Sequence, residues 1–233
     1  MNDLPYQQSQ QKKPRIQLKY HLKHFALFIG LLIFSYLPGT LPILLILVND
    51  SISFMQSNSG QALTIGANLA AFVIGLLLVK RLSIRGDGQL FTKRSLCIMV
   101  IGYLVMLGQS YLSLYLQSGF ENARGADFLD TMNIIPGYLL ALNASVVMPL
   151  LEEIVFRGFI LKVWFRNRPL LGVIISCLLF MCSHGPQNIV VAIMYFLSGL
   201  CMAYVYKKTD RIEAAVIVHW AMNLPGGISF FLR

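Results

Sequence analysis

Met148-Pro149-Leu150-Leu151-Glu152-Glu153-Ile154-Val155-Phe156-Arg157-Gly158 places two adjacent carboxylates and an arginine inside an otherwise apolar run. A charge at the centre of a bilayer costs about 3 kcal/mol even on the lower scales. Adjacent carboxylates also repel one another, so the pair is expensive to keep for packing alone. A purely structural use exists, because Glu153 and Arg157 stand at helical i,i+4 spacing and can pair. Ionisable groups inside membrane helices more often mark a functional site.

The surroundings decide that this is a membrane segment. The chain has 233 residues, of which 56% are hydrophobic and only 12% charged, against about 25% charged in a soluble domain. The net charge of +9 raises a nucleic-acid reading. The basic residues sit in short runs between apolar segments, which argues against it, and no nucleic-acid partner is expected. Cys97, Cys177, Cys182 and Cys201 all lie in apolar segments without a CxxC pair. They read as packing residues rather than disulfides or zinc ligands. Residues 1–24 lack the short apolar core and cleavage site of a secretory leader.

Seven apolar stretches follow in order. The first runs from Phe25 to Val48, with Pro38-Gly39 and Pro42 expected to kink it, and Asn49 to Gly60 reads as a polar loop. The second covers Ala62 to Val79 and the third Leu96 to Leu116, joined by a basic loop with a Gly86-Asp87-Gly88 turn. A polar loop from Gln117 to Asn133 precedes the fourth, which begins near Ile134 and passes through the Glu-Glu pair towards Lys162. Pro169 opens the fifth, Leu170 to Ser183, closed by His184-Gly185-Pro186. The sixth is Ile189 to Tyr206, with Gly199 and Ala203 as a small-xxx-small packing face. The seventh is Ala214 to Leu224, broken at Pro225-Gly226-Gly227 and completed by Ile228 to Leu232. Most approach the ~20 residues that a bilayer helix needs, and the fifth is short.

Basic residues set the expected orientation. With seven crossings, 17 of the 19 Lys and Arg fall on one side, and only Arg124 and Arg233 on the other. The positive-inside rule then puts the N-terminus in the cytoplasm. The expectation is an all-α, polytopic transmembrane bundle of about seven spans in the cell membrane. It divides into a basic cytoplasmic tail (1–24), N-terminal transmembrane helices (25–133) and a catalytic core (134–233). His21 and His24 fall in the tail and read as solvated or headgroup-facing.

Further polar groups interrupt the later helices. His184 follows Phe180 at i+4, and His219 precedes Asn223 at i+4, so the latter two share a helix face. Counting about 1.5 Å per residue from the basic edge puts Glu152 roughly 15 Å deep, His184 roughly 22 Å, His219 roughly 12 Å and Asn223 roughly 18 Å. All fall in the middle band of a core about 30 Å thick. Two Glu, two His and an Asn at one depth can bind a divalent cation, activate a water or donate hydrogen bonds to a developing oxyanion. Taken alone, each His has a competing use as the partner of a backbone carbonyl, Phe180 reads as core packing, and Asn223 can satisfy carbonyls at a kink. The joint pattern favours chemistry.

Glu-Glu-x-x-x-Arg (Glu152, Glu153, Arg157), Phe-x-x-x-His (Phe180, His184) and His-x-x-x-Asn (His219, Asn223) resemble the three motifs of the CPBP family. These are CAAX-processing endopeptidases and bacteriocin-processing or immunity proteins, also called the Abi family. Pro149 and the Phe156-Arg157-Gly158 run match the first motif too, and the resemblance covers about residues 134–227. It implies an intramembrane endopeptidase. Glu152 would be the base that activates water, assisted by His184. His219 and Asn223 would stabilise the oxyanion, and Glu153 and Arg157 would support them. A divalent metal, zinc first, would be held by Glu152, His184 and His219, although a metal-free glutamate-activated water fits the same residues. His-x-x-x-Asn is not the soluble zinc signature His-Glu-x-x-His. The expected partners are a peptide or membrane-protein substrate and the bilayer. Competing readings are a non-catalytic membrane immunity or interaction protein and a transporter using a proton relay; the chain has no obvious internal repeat of the transporter kind.

Overall fold

The computed structural model describes residues 4–49, 52–117 and 134–232. Within these, eight helices occur and no strand. They are α1 (Leu4–Asn49), α2 (Ile52–Gln56), α3 (Asn58–Arg81), α4 (Lys93–Gln117), α5 (Gly137–Trp164), α6 (Pro169–Ser183), α7 (Ile189–Thr209) and α8 (Ile212–Phe231). Six are long and apolar enough to cross a membrane, and α6 is a shorter apolar helix of 15 residues. The protein is a multi-pass membrane protein. The polar loop carrying Glu121, Arg124, Asp127 and Asp130 lies outside the described residues.

Helix ends follow local chemistry. Ser57 caps α3 by accepting a hydrogen bond from the Gly60 N–H, and Asn188 caps α7 through Val191. Each satisfies an amide that the first helical turn leaves without a partner. Pro169 stands at the start of α6, where a missing N–H costs nothing.

Three local expectations are corrected. The Asn49 to Gly60 loop contains the short helix α2 and the first turn of α3. The first helix does not begin at Phe25 but already at Leu4, and Pro38 and Pro42 lie within it without ending it. Ser35 and Thr40 in the same stretch bond helix carbonyls, Ser35 that of Leu32 and Thr40 those of Tyr36 and Leu37. Finally, α8 runs unbroken through Pro225 to Phe231. Its glycine serves close packing instead: a Cβ on Gly227 would stand 1.9 Å from Ser145 Oγ.

Helix α5 is the centre of the bundle, in contact with α1, α3, α6, α7 and α8. It alternates between α-helix and wider π-helical stretches, Asn143–Val147 and Ile154–Trp164. The Glu-Glu pair sits in the α-helical turn Met148–Glu153 between them. Such insertions usually span one turn and recur at functional sites. Trp220 Nε1 donates to Val146 O and Asn223 Nδ2 to Ala144 O, so α8 is bonded directly to the first π stretch. The main core lies along the second, where Phe156, Phe159 and Ile160 pack with Phe28, Ala71, Phe180 and Ala203.

The basic end is tied by polar bonds. Arg211 pairs with Glu213 and donates to Gly88 O, while Arg85 reaches the same Glu213 at 2.7 Å. Asp210 accepts from the Asp87 N–H at 2.9 Å, and Tyr206 donates to Ile84 O at 2.8 Å. These contacts clamp the α3–α4 loop onto the α7–α8 turn. His21, exposed, and His24, half-buried, also make contacts there. Trp164 Nε1 donates to His21 Nδ1 at 3.1 Å, and the His24 ring stacks on Phe159 and Trp164.

Candidate active site

The first motif makes a buried charge chain. Glu153 and Arg157 are both fully buried, with Arg157 Nη1 3.2 Å from Glu153 Oε1 across one helical turn. That geometry is too skewed for a hydrogen bond, so attraction between the charges holds the pair. Arg157 Nη2 donates to Gly199 O at 3.2 Å, and its guanidinium carbon lies 4.4 Å from the centre of the Phe180 ring. A cation over an aromatic face gains about 2 kcal/mol where water is excluded. Phe180 is therefore core packing, as expected, and also a platform for the arginine.

The third motif meets the first. His219 Nδ1 is 2.9 Å from Glu153 Oε1, and His219 Nε2 is 3.7 Å from Glu152 Oε2. The imidazole thus lies between the two carboxylates. Glu152 and His219 are each 5% exposed. Helix α8 carries His219 there because Ala214, Ala215 and Val218 on its buried surface let it pack closely.

The second motif flanks this chain. His184 closes α6, its N–H at Nδ1 donating to Phe180 O at 2.8 Å. That bond commits one ring nitrogen and leaves Nε2 without a protein partner among the described residues. Gly185 follows with φ +54, a backbone turn that favours glycine directly after the histidine. The Phe180 ring lies 4.4 Å from the His184 ring and 6.1 Å from the His219 ring, so the two imidazoles share one aromatic neighbour.

Asn223 lies one turn beyond His219, but its hydrogen bonds run to α5 rather than to the carboxylates. Its Nδ2 donates to Ala144 O, and Ser145 Oγ donates to its carbonyl. One N–H of the amide is thereby used and one remains. Thus the structure brings Glu152, Glu153, Arg157 and His219 into one chain, sets His184 beside it, and fixes Asn223 a turn away.

Several participants were not read from the sequence. Ser176 Oγ donates to Phe156 O at 2.7 Å, beside the first motif. Its i–4 spacing from Phe180 was the available signal. Gly199, expected only as a packing residue, also supplies the carbonyl that Arg157 reaches; a Cβ there would crowd Cys177 at 3.2–3.3 Å.

The metal reading meets a different outcome. A catalytic zinc takes three protein ligands and an open position. Among the described residues no three His, Cys, Asp or Glu side chains form such a group. His184 Nδ1 is held by a carbonyl and His219 Nδ1 by the Glu153 carboxylate, the kind of partner that a metal-ligating histidine ordinarily has on its other nitrogen. Glu152, His184 and His219 are not drawn together into one ligand group among the described residues.

Comparison with known proteins agrees with the motifs. Residues 134–225 match the family model described as type II CAAX prenyl endopeptidase Rce1-like. That segment is similar to the Rce1-like family. It contains all three motifs, and α1, α3 and α4 lie outside it. The chain is 28% identical over 106 residues to a Bacillus subtilis protein named "Putative membrane peptidase YdiL", covering 45% of this chain and 42% of that one. It is 26% identical over 132 residues to "UPF0177 protein YvdC" of Lactococcus lactis subsp. lactis, covering 55% and 50%. The chain thus spans about half the length of these curated relatives. No solved structure matches it significantly.

Proposed function

We propose that this protein is an intramembrane endopeptidase in which Glu152 activates the attacking water. The observation that carries the reading is the buried chain Arg157–Glu153–His219–Glu152 within the Rce1-like segment. Its last link is 3.7 Å, too long for a direct hydrogen bond and suited to a water shared by Glu152 Oε2 and His219 Nε2. With His219 as imidazolium the chain holds two positive and two negative charges, so it is neutral as a unit.

The water oxygen attacks the peptide carbonyl carbon, and its proton passes to Glu152. The new oxyanion accepts from His219 Nε2–H and from the free N–H of Asn223. The tetrahedral centre then collapses, the C–N bond breaks, and Glu152 returns the proton to the leaving amine. His184 Nε2, an acceptor without a protein partner among the described residues, assists Glu152 in taking the proton from the attacking water. Arg157 holds Glu153, which in turn orients His219. The substrate is a peptide or membrane protein reached in the bilayer, and processing of, or immunity to, a bacteriocin is the proposed setting.

Reconstitution with candidate peptides tests this. Glu152→Gln keeps shape and removes the proton acceptor. Cleavage is expected to fall by roughly 10²–10⁴-fold, with insertion and detergent stability near wild type. Wild-type cleavage by a folded Glu152→Gln protein would overturn the assignment. Retained activity after exhaustive chelation is also expected, and zinc-restored activity would show a metal ligand set that forms on binding.

A further inference from the structure

The His184 ring is held to its own helix through Nδ1 alone, 2.8 Å from Phe180 O and 3.5 Å from Ser183 Oγ, and it lies at the helix end, where backbone support is weakest. Two residues outside the three motifs make up the difference. Tyr195, on α7, places its ring 4.3 Å from the His184 ring, tilted by 33°. With Phe180 at 4.4 Å, the imidazole has two aromatic neighbours. Tyr36, on α1, donates its hydroxyl to Ser183 O at 3.2 Å, the carbonyl directly before His184. Tyr36 and Tyr195 are both half-buried, so neither is simply core filler.

We propose that Tyr195 and Tyr36 are positioning residues that clamp His184 at the end of α6, Tyr195 by its ring and Tyr36 by tying that helix end to α1. The inference rests on the proposed role of His184. It also assigns a function to α1, which lies outside the Rce1-like segment. The two contacts differ in what they require. Stacking needs an aromatic ring and not a hydroxyl. The Ser183 bond needs the hydroxyl and not merely a ring.

The full-length protein in detergent micelles, with ¹⁵N-labelled histidine, reads the clamp without any substrate. His184→Gln assigns the resonances. Wild type should show His184 with a protonated Nδ1 and a bare Nε2, as the bond to Phe180 O dictates. Tyr195→Phe should leave that signature unchanged, and Tyr195→Leu should mix the two tautomers. In the cleavage assay, Tyr195→Phe should stay within about twofold, because ring stacking survives. Tyr195→Leu should lose roughly 10- to 10²-fold in kcat with little change in KM, the usual cost of a misplaced group. Tyr36→Phe should lose about fivefold, equivalent to one hydrogen bond.

Unmoved His184 resonances and wild-type kcat in folded Tyr195→Leu would overturn the clamp. If that variant does not insert, Tyr36→Phe decides, since it changes one oxygen; an unaltered His184 spectrum and rate would overturn the proposal. Failure of the peptidase reading looks different. Cleavage would then survive Glu152→Gln, while the spectra would still report whether the tyrosines hold His184.

Discussion

Helix α5 and the peripheral helices α1, α3 and α4 are all apolar enough to cross a membrane, yet they use that property differently. In its most apolar 18-residue window α5 is 61% buried, against 17% for α1 and 22% for α3 and α4. The peripheral helices show their Leu, Val and Ile to lipid, as at Leu77, Val73 and Leu104, which are 60%, 54% and 57% exposed. α5 shows its apolar residues to other helices and carries the charges among them. In lipid an apolar surface gains nothing by being buried, so what centres a helix is polar bonding and close packing. α5 has both, through Glu153–Arg157–Gly199 and through small residues at its contacts.

Orientation gives the all-or-none test of this comparison, because it asks whether the peripheral helices alternate as the basic residues require. On a background lacking the native cysteines, a cysteine at Gln56 should label from outside intact cells with an impermeant reagent, and one at Gln89 should not. Both positions are exposed. Reversed labelling would invert the proposed cytoplasmic N-terminus.

The next largest effect belongs to the central helix. Arg157→Met should leave Glu153 with His219 as its one remaining partner in the chain, costing about 3–5 kcal/mol and abolishing cleavage. Denaturant titration in micelles would measure it. A stability loss below about 1 kcal/mol would mean that Glu153 is satisfied elsewhere.

A glycine-to-alanine series sharpens the contrast at lower energy. A Cβ on Gly137 would stand 1.8 Å from Phe230 O, a backbone atom, so α8 must shift. Gly137→Ala should cost about 1–3 kcal/mol. Gly30, Gly66 and Gly108 on α1, α3 and α4 have nothing within 4 Å, and alanine there should change stability by less than about 0.5 kcal/mol. Equal losses at both sets would erase the distinction between centre and periphery.

Asn68 marks the smallest effect. It is 1% exposed on α3 and accepts from Asn143 Nδ2 at 2.9 Å. Asn68→Leu should cost about 0.6 kcal/mol, the average for an interhelical bond in a membrane. A loss above about 2 kcal/mol would show that α3 is held by this bond and belongs with the centre.

Length and hydropathy along the chain determined the class and nearly every helix, because the bilayer demands about 20 apolar residues of any helix that spans it. The i,i+4 spacings of Glu153 with Arg157, Phe180 with His184, and His219 with Asn223 were equally legible, since helix geometry turns spacing into a shared face. Tertiary structure alone decided which spans are central, because lipid-facing and helix-facing surfaces are equally apolar. It alone brought His219 between Glu152 and Glu153, turned Asn223 towards Ala144 O, and kept Glu152, His184 and His219 from forming one ligand group. It also decided that Pro225 does not end α8 and that Tyr36 reaches Ser183 across 147 residues of chain. Spacing reports neighbours within one helix, whereas contacts between helices depend on packing angle and on where a glycine lets backbones approach.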